Sequence, residues 1–261
     1  RMIIPHGDDY LLPNDNTFFV GASGEIEKFS KHFVGTGIKA PERVMIIGAG
    51  RTGRTLAKML DKQGVQVKVI EKDAERSRMV AERIEEGIVV RGDGTDIDLL
   101  TQEGVGEADV VICLTADDKL NLMLALLAKH LGASRTIVRV ARIEYVDLME
   151  KVGVDIVLSS RLLAAGEILA FARRGGVVSV ALLEGAKAEA MEVIVQKGSY
   201  VENKKLMDLQ LPKECLICAF VRDDEAFVPT GQSSLQAGDR AILFIRMEFA
   251  NKVMKYFAGK A

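Results

Sequence analysis

Residues Arg43 to Leu60 read RVMIIGAGRTGRTLAKML, an apolar strand that runs directly into three glycines and then into a helix. Gly48 permits a tight turn, Gly50 lets the backbone approach a pyrophosphate, and Gly53 lets the helix pack closely on the strand. The free N–H groups and the dipole at the start of such a helix attract an anion. The stretch therefore predicts a nucleotide-binding turn in a Rossmann-like sheet.

An acidic residue follows at the spacing that this kind of turn requires. The next apolar run, VQVKVIE, ends in Glu71, 23 residues after Gly48, where a carboxylate can accept hydrogen bonds from ribose hydroxyls. A carboxylate there repels a ribose 2′-phosphate, which favours NAD or ATP over NADP, although Lys72 beside it weakens that inference. The motif fits either NAD or ATP as the ligand, and the alternative is a Rossmann domain that binds no nucleotide.

The composition is that of a globular protein with a sizeable core. Of 261 residues, 48% are hydrophobic and 28% are charged, and the formal net charge is -2. No apolar run approaches the roughly 18 to 20 residues of a membrane-spanning helix. Basic and acidic residues number 35 and 37 without a long single-sign block, so we expect no nucleic-acid partner. Three cysteines fit a reducing cytoplasm better than a disulfide framework.

The only closely spaced cysteines, Cys215 and Cys218, form a lone CxxC pattern within the run CLICAFV. That run predicts a strand, in which positions i and i+3 point to opposite faces. We therefore expect these thiols to pack in the core, in preference to metal or redox chemistry.

Short apolar runs alternate with helical patterns through the first two thirds of the chain. This order is typical of a doubly wound parallel sheet covered by helices on both faces. The first predicted helix covers Thr52 to Gln63, and Asp117 or Asp118 is the predicted cap of the fourth. The fourth helix carries an apolar stripe that we expect to face the core, formed by Leu120, Met123, Leu124, Leu127 and Leu131. The predicted strands are Val44–Ile47, Val65–Ile70, Ile88–Val90, Val110–Leu114, Ile137–Val140 and Ile156–Leu158.

A smaller α+β domain is predicted to follow, because the pattern changes after Gly175 and Gly176 to short strands separated by Gly, Pro and Asp clusters. Its runs are VSVALLE, MEVIV, CLICAFV, AFVP and AILFI, with a predicted helix over Lys204 to Leu209. The predicted organisation is therefore residues 1–40 as the partial end of a preceding small lobe plus a linker, 41–175 as the Rossmann domain and 176–261 as the small domain.

The preceding lobe is inferred from an internal repeat. GDDYLLP (7–13) parallels DDEAFVP (223–229), and FFVGASGEIEKFSKHF (18–33) parallels ILFIRMEFANKVMKYF (242–257), each copy reading as strand, strand and amphipathic helix. The first copy lacks eight residues that the second has around SSLQAGDR. Either its hairpin is shorter or these residues are missing from the sequence. Because a lone hairpin is marginally stable, we expect a piece of a longer protein. The alternative is an unrelated N-terminal extension.

These motifs together resemble the RCK regulatory domains of potassium channels and transporters and, within them, the C-terminal half of the tandem Trk-type (TrkA-like) potassium uptake regulators. The resemblance covers nearly the whole chain. It rests on the glycine stretch, VIEKD, VRGDGTDIDLL, VVICLTADDKLNLMLALLAK, TIVRVAR and PTGQSSLQAGDRAILF. It implies a Rossmann-like RCK-N domain followed by a small α+β RCK-C domain.

The resemblance also implies the residues of a nucleotide site. The backbone from Gly48 through Ala49, Gly50 and Arg51 to Thr52 would wrap the phosphates, Gly53 would support the turn, and Glu71 with Lys72 would hold the ribose. Leu114, Thr115 and Arg139 would line the same cleft. Asp93 would lie by the nucleotide, although Gly94 stands where the family pattern GDATD has alanine, which we expect to loosen the backbone. The cofactor implied is NAD(H), with ATP or ADP as alternatives.

Three of these residues have plain structural alternatives. Asp93 could only stabilise its own turn through hydrogen bonds from its side chain to the backbone. Arg139 could be a structural ion-pair partner, and Thr115 could begin the cap of the next helix. No metal ligand cluster, nucleophile motif or Walker lysine is found in the sequence. The candidates for proton transfer are His6, His32, His130, Lys119 and Tyr145, and none has a partner identifiable from sequence.

The resemblance therefore implies a regulatory subunit and not an enzyme. It would sense nucleotide in the cytoplasm, at the inner face of the membrane, and control a membrane potassium transporter or channel subunit of the Trk type. A dimer or tetramer is expected, with the stripe Leu162, Ala165, Leu169 and Ala172 as one helix contact or else an intradomain face. The alternatives are an NAD-dependent oxidoreductase and the regulatory tail of a potassium/proton antiporter.

Overall fold

The computed structural model describes residues 3–5, 8–13, 15, 17–21, 24–26, 28–29, 41–172, 176–183 and 187–259. His6, His32 and Gly175 lie outside the described residues, as do parts of the first copy of the proposed repeat. The chain divides into two compact units, Lys39–Arg161 and Leu162–Ala261, the second of which also takes in Arg1–Ile38.

The first unit is built on a six-stranded parallel sheet with the strand order β3-β2-β1-β4-β5-β6. This is the strand order of a doubly wound dinucleotide-binding fold. It confirms the predicted fold class, and no strand end of this sheet differs from its prediction by more than one residue. The elements are β1 (Arg43–Ile47), α1 (Arg51–Lys62), β2 (Gln66–Glu71), α2 (Ala74–Ala81), β3 (Ile88–Arg91), α3 (Ile97–Gln102), β4 (Val110–Cys113), α4 (Asp118–His130), β5 (Thr136–Val140), α5 (Val146–Val152) and β6 (Ile156–Ser159).

Both faces of this sheet are covered, which is why its central strands read as continuous apolar runs. Met45 and Ile47 enter one core cluster together with Leu124 of α4. Val44 and Ile46, which point the other way, enter a second cluster that contains residues of α1 and α2. Successive residues of β1 thus serve two separate cores.

Helix α4 packs most of its expected apolar stripe on the core, because Leu124 is buried and Leu120, Leu127 and Leu131 pack against the same cluster, and only Met123 departs from the prediction. Met123 is 48% exposed, whereas Asn121, Ala125 and Ala128 are fully buried beside Leu124. The two alanines permit close packing on the sheet, and the amide of Asn121 is held by hydrogen bonds at the sheet edge. Packing and polar contacts, more than hydrophobicity alone, set the rotation of this helix.

The second unit carries a five-stranded sheet of order β10-β9-β11-β8-β7, in which neighbouring strands pair antiparallel. Its core centres on Met191, Leu243 and Phe257, each almost inaccessible to solvent. The elements are α6 (Ser160–Ala172), β7 (Val177–Leu183), β8 (Ala188–Ile194), β9 (Cys215–Arg222), β10 (Glu225–Phe227), β11 (Arg240–Arg246) and α7 (Ala250–Phe257).

The helix predicted over Lys204 to Leu209 is wrong. The structure has only a single 3-10 turn there, Leu206–Asp208. The backbone N–H groups of Leu206 and Met207 donate to the carbonyls of Ser233 and Gly231, which lie in a neighbouring loop. Bonds to that loop replace the i to i−4 bonds that a helix would need.

Cys215 and Cys218 are free thiols on β9, and Cys215 belongs to the core of the second unit. Burial raises the pKa of the Cys215 thiol to about 12 and that of Cys218 to about 11. Among the described residues, no group of three or more His, Cys, Asp or Glu side chains could hold a metal ion. No helix in the described part of the chain is long and apolar enough to cross a bilayer.

Helix α6 places its predicted stripe mostly inward. Leu162, Ala165 and Leu169 are half-buried, while Ala172 is exposed. Gly166 lies against the backbone of β7, where an added Cβ would come within 2.5 Å of the Val180 carbonyl oxygen. The intradomain alternative therefore describes most of this stripe. The large apolar side chains that this helix exposes are instead Leu163, Ile168 and Phe171, at 63, 65 and 78% exposure.

Candidate ligand-binding cleft

A cleft of about 390 Å³ opens at the carboxyl ends of β1, β2, β4 and β5. Ligands of open α/β sheets bind at this edge, where the strand order reverses, and the volume falls in the range of small-molecule sites. Most of the residues predicted from sequence line it, namely Gly48, Gly50, Arg51, Thr52, Glu71, Lys72, Asp93, Gly94, Leu114, Thr115 and Arg139. Ala49 and Gly53 are buried and are not among the lining residues.

The glycine turn has the geometry that its sequence predicted. Gly48 has φ +106°, and its N–H donates to the Ile70 carbonyl oxygen at 2.9 Å. A Cβ on Gly53 would strike the Gly48 carbonyl oxygen, so the helix could not lie so close to the turn with any other residue. Around Gly50 nothing lies within 4 Å of an added Cβ, which leaves open space for a ligand.

The N-terminus of α1 is open. Within the described residues, no side chain caps the helix at Gly50, and its first turn contains no acidic residue. The first backbone N–H groups of a helix have no partner inside the helix and carry the positive end of its dipole. This end of α1 can therefore bind an anion without displacing a side chain.

Glu71 is 7% exposed and holds the glycine turn directly. Its Oε2 accepts from the Ala49 N–H at 2.6 Å, and its Oε1 accepts from the Asp73 N–H at 2.9 Å. Each carboxylate oxygen has a second acceptor site that these bonds leave free. Glu71 therefore organises the turn, and its predicted bond to a ribose stays a prediction.

Asp93 accepts the side-chain to backbone hydrogen bonds of its own turn, as the structural alternative predicted. Its Oδ1 accepts from the Thr95 N–H at 3.0 Å and from the Thr95 hydroxyl at 2.9 Å. The backbone bond from Thr95 is the main cause that holds the Asp93 pKa below its ordinary value, and the charge of Lys72 contributes a little. A Cβ on Gly94 would lie 2.5 Å from a methyl group of Ile47, so glycine there permits close packing on β1.

Thr115 and Arg139 meet at the other side of the cleft. The Arg139 Nη2 donates to the Thr115 carbonyl oxygen at 3.0 Å. Asn121 joins both residues, because its Oδ1 accepts from the Thr115 N–H at 2.9 Å and its Nδ2 donates to the Arg139 carbonyl oxygen at 3.0 Å. The predicted cap of α4 is Asp117, whose Oδ1 accepts from the N–H groups of Lys119 and Leu120.

Comparison with known families identifies both parts of the chain. Residues 44–160 match the TrkA-N domain model, and residues 190–258 match the TrkA-C domain model. The chain belongs to the TrkA-N and TrkA-C domain families. The first match contains the whole cleft described above.

Curated relatives are Trk system proteins. A Trk system potassium uptake protein TrkA homolog of Methanosarcina mazei is 36% identical over 258 residues, covering 98% of this chain and 57% of that protein. The Trk system potassium uptake protein TrkA of Vibrio alginolyticus is 33% identical over 249 residues, covering 94% of this chain and 54% of that protein. The chain thus spans a little over half the length of these relatives.

Solved structures share the fold. The GsuK channel matches with a TM-score of 0.56 and 18% identity, over 89% of this chain and 45% of that one. A second GsuK structure, described as bound to NAD, matches with a TM-score of 0.54 and 17% identity, over 90% of this chain and 44% of that one. At this identity the likeness concerns the fold alone.

The TrkA-N cleft contains residues that the sequence analysis missed. Arg76 and Thr95 line it, and Asn121 is completely buried beside it. Asn121 could have been noticed as a polar residue on the helix face that also carries Leu124, Ala125 and Ala128. Arg76 had no clear signal, since a basic residue in an exposed helix turn is common.

A larger cavity of about 680 Å³ lies at the opposite edge of the TrkA-N sheet, by the amino ends of β1 and β2. Three of its charged groups already have partners inside the protein: Lys68 pairs with Glu103 at 2.9 Å, and Asp61 accepts from three backbone N–H groups. The bond from the Glu85 N–H is the main cause that lowers the Asp61 pKa. We therefore place the candidate site at the carboxyl edge.

Proposed function

We propose that the TrkA-N domain binds an adenine nucleotide as a signal, NAD(H) first, with ATP or ADP as alternatives. The observation that carries this proposal is the open N-terminus of α1 behind an unobstructed Gly50. Arg51, Lys72, Arg76 and Arg139 surround the same cleft and supply positive charge for phosphates. The channel of similar fold that is described as bound to NAD motivates that ligand among the probes.

The same proposal assigns a place in potassium transport. Relatives at 32 to 37% identity are named Trk system potassium uptake proteins. We propose a regulatory subunit that acts in the cytoplasm, at the inner face of the membrane, on a Trk-type potassium transporter or channel subunit. Reading the parent gene would test this, since membrane-spanning segments in the same chain would favour an antiporter tail.

We propose binding without turnover. His130 is the last residue of α4, about 18 Å along the helix from its first turn beside the cleft. Lys119 and Tyr145 are not among the residues that line the cleft, and the remaining candidates, His6 and His32, lie outside the described residues. A hydride-transfer enzyme needs a proton donor or acceptor within hydrogen-bonding reach of its substrate.

A signal must also change a conformational equilibrium. A nucleotide that binds two states equally well shifts nothing, so the proposal requires different affinities for two arrangements of the subunit or its oligomer. Helix α6 is a candidate contact for a homo-oligomer, dimer or tetramer, because Leu163 and Ile168 are both more than 60% exposed. Light scattering of wild type and Ile168→Glu tests that contact. If α6 forms it, the variant should have a smaller molar mass than the wild-type oligomer.

Calorimetry with NADH, NAD, ATP and ADP tests the binding proposal. We expect saturable binding of at least one of the four and no oxidation of NADH in the presence of a panel of carbonyl compounds. Absence of binding by all four would refute the proposal, and steady product formation would favour the oxidoreductase.

Glu71→Gln separates the ribose role from the turn role. The side chain keeps its size but loses one acceptor and its charge, so we expect about tenfold weaker binding of every adenine nucleotide. Urea unfolding measures the loss of turn stability independently. Unchanged affinity in the folded variant would contradict the ribose assignment.

A further inference from the structure

The side chain of Asn121 is completely buried at the edge of the cleft and uses all of its hydrogen-bonding groups. Its Oδ1 accepts from the Thr115 N–H at 2.9 Å and from the Thr115 hydroxyl at 2.6 Å. Its Nδ2 donates to the carbonyl oxygens of Thr115 at 3.2 Å and of Arg139 at 3.0 Å. One amide thus ties the end of β4 to the end of β5.

The same contacts fix the guanidinium of Arg139. The Thr115 carbonyl oxygen that accepts from Asn121 also accepts from Arg139 Nη2 at 3.0 Å. Asn121 therefore holds both the backbone from which Arg139 extends and the acceptor that orients its guanidinium. A guanidinium has five N–H donors, so this bond leaves most of them for other partners in the cleft that Arg139 lines.

An apolar residue at position 121 would be easier to bury. An amide on a helix face that otherwise packs in the core costs free energy unless it is hydrogen-bonded. Here its removal would leave the Thr115 N–H and the Arg139 carbonyl oxygen without their present bonds. The arrangement is therefore one in which a buried amide sets the geometry of the cleft edge.

We propose that Asn121 is a positioning residue of the nucleotide cleft, acting on the ligand through Thr115 and Arg139. The inference rests on the proposed binding of a phosphate-bearing nucleotide. Arg139 pairs with the ligand's phosphates through charge-assisted bonds whose strength depends on direction. Loss of Asn121 then weakens binding because Arg139 is no longer held in place.

A double-mutant cycle on the full chain tests this coupling. Asn121→Asp keeps the shape of the side chain but turns an acceptor toward the two carbonyl oxygens, and it is combined with Arg139→Gln. The ligand is ATP, or NADH if calorimetry ranks it tighter. Thr115→Val removes the hydroxyl that bonds Asn121 and, at longer distances, the backbone of Asp117, and it serves as a milder variant if Asn121→Asp does not fold.

We expect Asn121→Asp to weaken binding about tenfold and Thr115→Val about threefold, and neither to change affinity further once Arg139 is glutamine. The matched control is Asp118→Asn on the same helix turn. Asp118 accepts from the backbone N–H groups of Ala141 and Arg142, with no bond to Thr115 or Arg139. Its replacement should lower the free energy of unfolding and leave affinity unchanged.

Additive effects of Asn121→Asp and Arg139→Gln would overturn the inference, as would wild-type affinity in both the Asn121 and Thr115 variants. These results would leave the proposed function standing, because the wild-type chain would still bind nucleotide. If the wild-type chain binds none of the four nucleotides, the proposed function fails and the positioning role fails with it.

Discussion

The first four helices of the TrkA-N domain begin at the same edge of the sheet, but their N-termini are capped in two different ways. Helices α2, α3 and α4 each begin at an aspartate whose side chain accepts from a backbone N–H: Asp73 from Arg76, Asp96 from Leu99, and Asp117 from Lys119 and Leu120. Helix α1 begins at Gly50, with no side-chain cap among the described residues.

We propose that this difference separates three helix ends that only stabilise the fold from one that binds phosphate. An aspartate cap stabilises a helix by about 1 kcal/mol over alanine, and it fills the place where an external anion would bind. Three helices have that stabilisation from their own chain. Helix α1 leaves its N–H groups free at the cleft, which is the arrangement that phosphate binding requires.

The largest expected effect comes from closing the space beneath the open helix end. Gly53→Ala adds a Cβ against the Gly48 carbonyl oxygen, so helix and turn must separate. We expect the free energy of unfolding to fall by about 1 to 3 kcal/mol and nucleotide binding to be lost. Urea unfolding and calorimetry measure the two effects. Retention of wild-type affinity would show that this close packing is not needed for the site.

Gly50→Asp converts α1 into a capped helix like the other three. Because Gly50 has an extended backbone with φ −62° and an added Cβ meets nothing within 4 Å, the folded state should accept the change. We expect stability within about 0.5 kcal/mol of wild type, since glycine and aspartate are comparable caps.

Nucleotide affinity of Gly50→Asp should fall by about 100-fold, because the carboxylate both occupies the N–H groups and repels phosphate. Gly50→Ala is the matched control and should lose less affinity, since it adds bulk without charge. Equal affinities for all three proteins would refute the role of α1 in phosphate binding.

Asp96→Ala makes the opposite change, removing a cap from a helix that already has one. The Leu99 N–H loses its acceptor, and we expect the free energy of unfolding to drop by about 1 kcal/mol. Asp96 is not among the residues that line the cleft, so calorimetry should give wild-type affinity. Weaker nucleotide binding by the folded Asp96→Ala variant would contradict the proposed difference between the two kinds of helix end.

The smallest effect concerns acid. Backbone bonds from Leu120 and then Lys119 are the main causes that lower the Asp117 pKa from 3.8. A carboxyl whose folded-state pKa is depressed contributes stability that is present above its unfolded pKa and is lost as pH falls through the folded value. Asp117→Asn keeps a good cap but does not titrate. Its unfolding free energy should therefore fall less than that of wild type below pH 3.8, as measured by urea titration at several pH values.

The order of elements and most of the cleft could be predicted because they depend on local signals. Glycines at fixed spacing predict this turn when a strand precedes them, a helix follows them and an acid ends the second strand, and all of these signals lie within about 30 residues. The wrong prediction of a helix over Lys204 to Leu209 shows the limit of local signals. The backbone there donates hydrogen bonds to Gly231 and Ser233, in a loop that is distant in sequence. The burial of Met123 was likewise predicted from a hydrophobic pattern that tertiary packing overrode.

The sequence by itself determined a doubly wound sheet with a glycine turn and an acid at its edge, because the chemistry of those residues is read within a few neighbours. Only the tertiary structure decided which polar groups are already bonded. Glu71 holds the turn, Asp93 closes its own loop, and Asn121 joins two strand ends. Hydrogen bonds between strands far apart in sequence made those choices, since each buried polar group must find its partner in three dimensions.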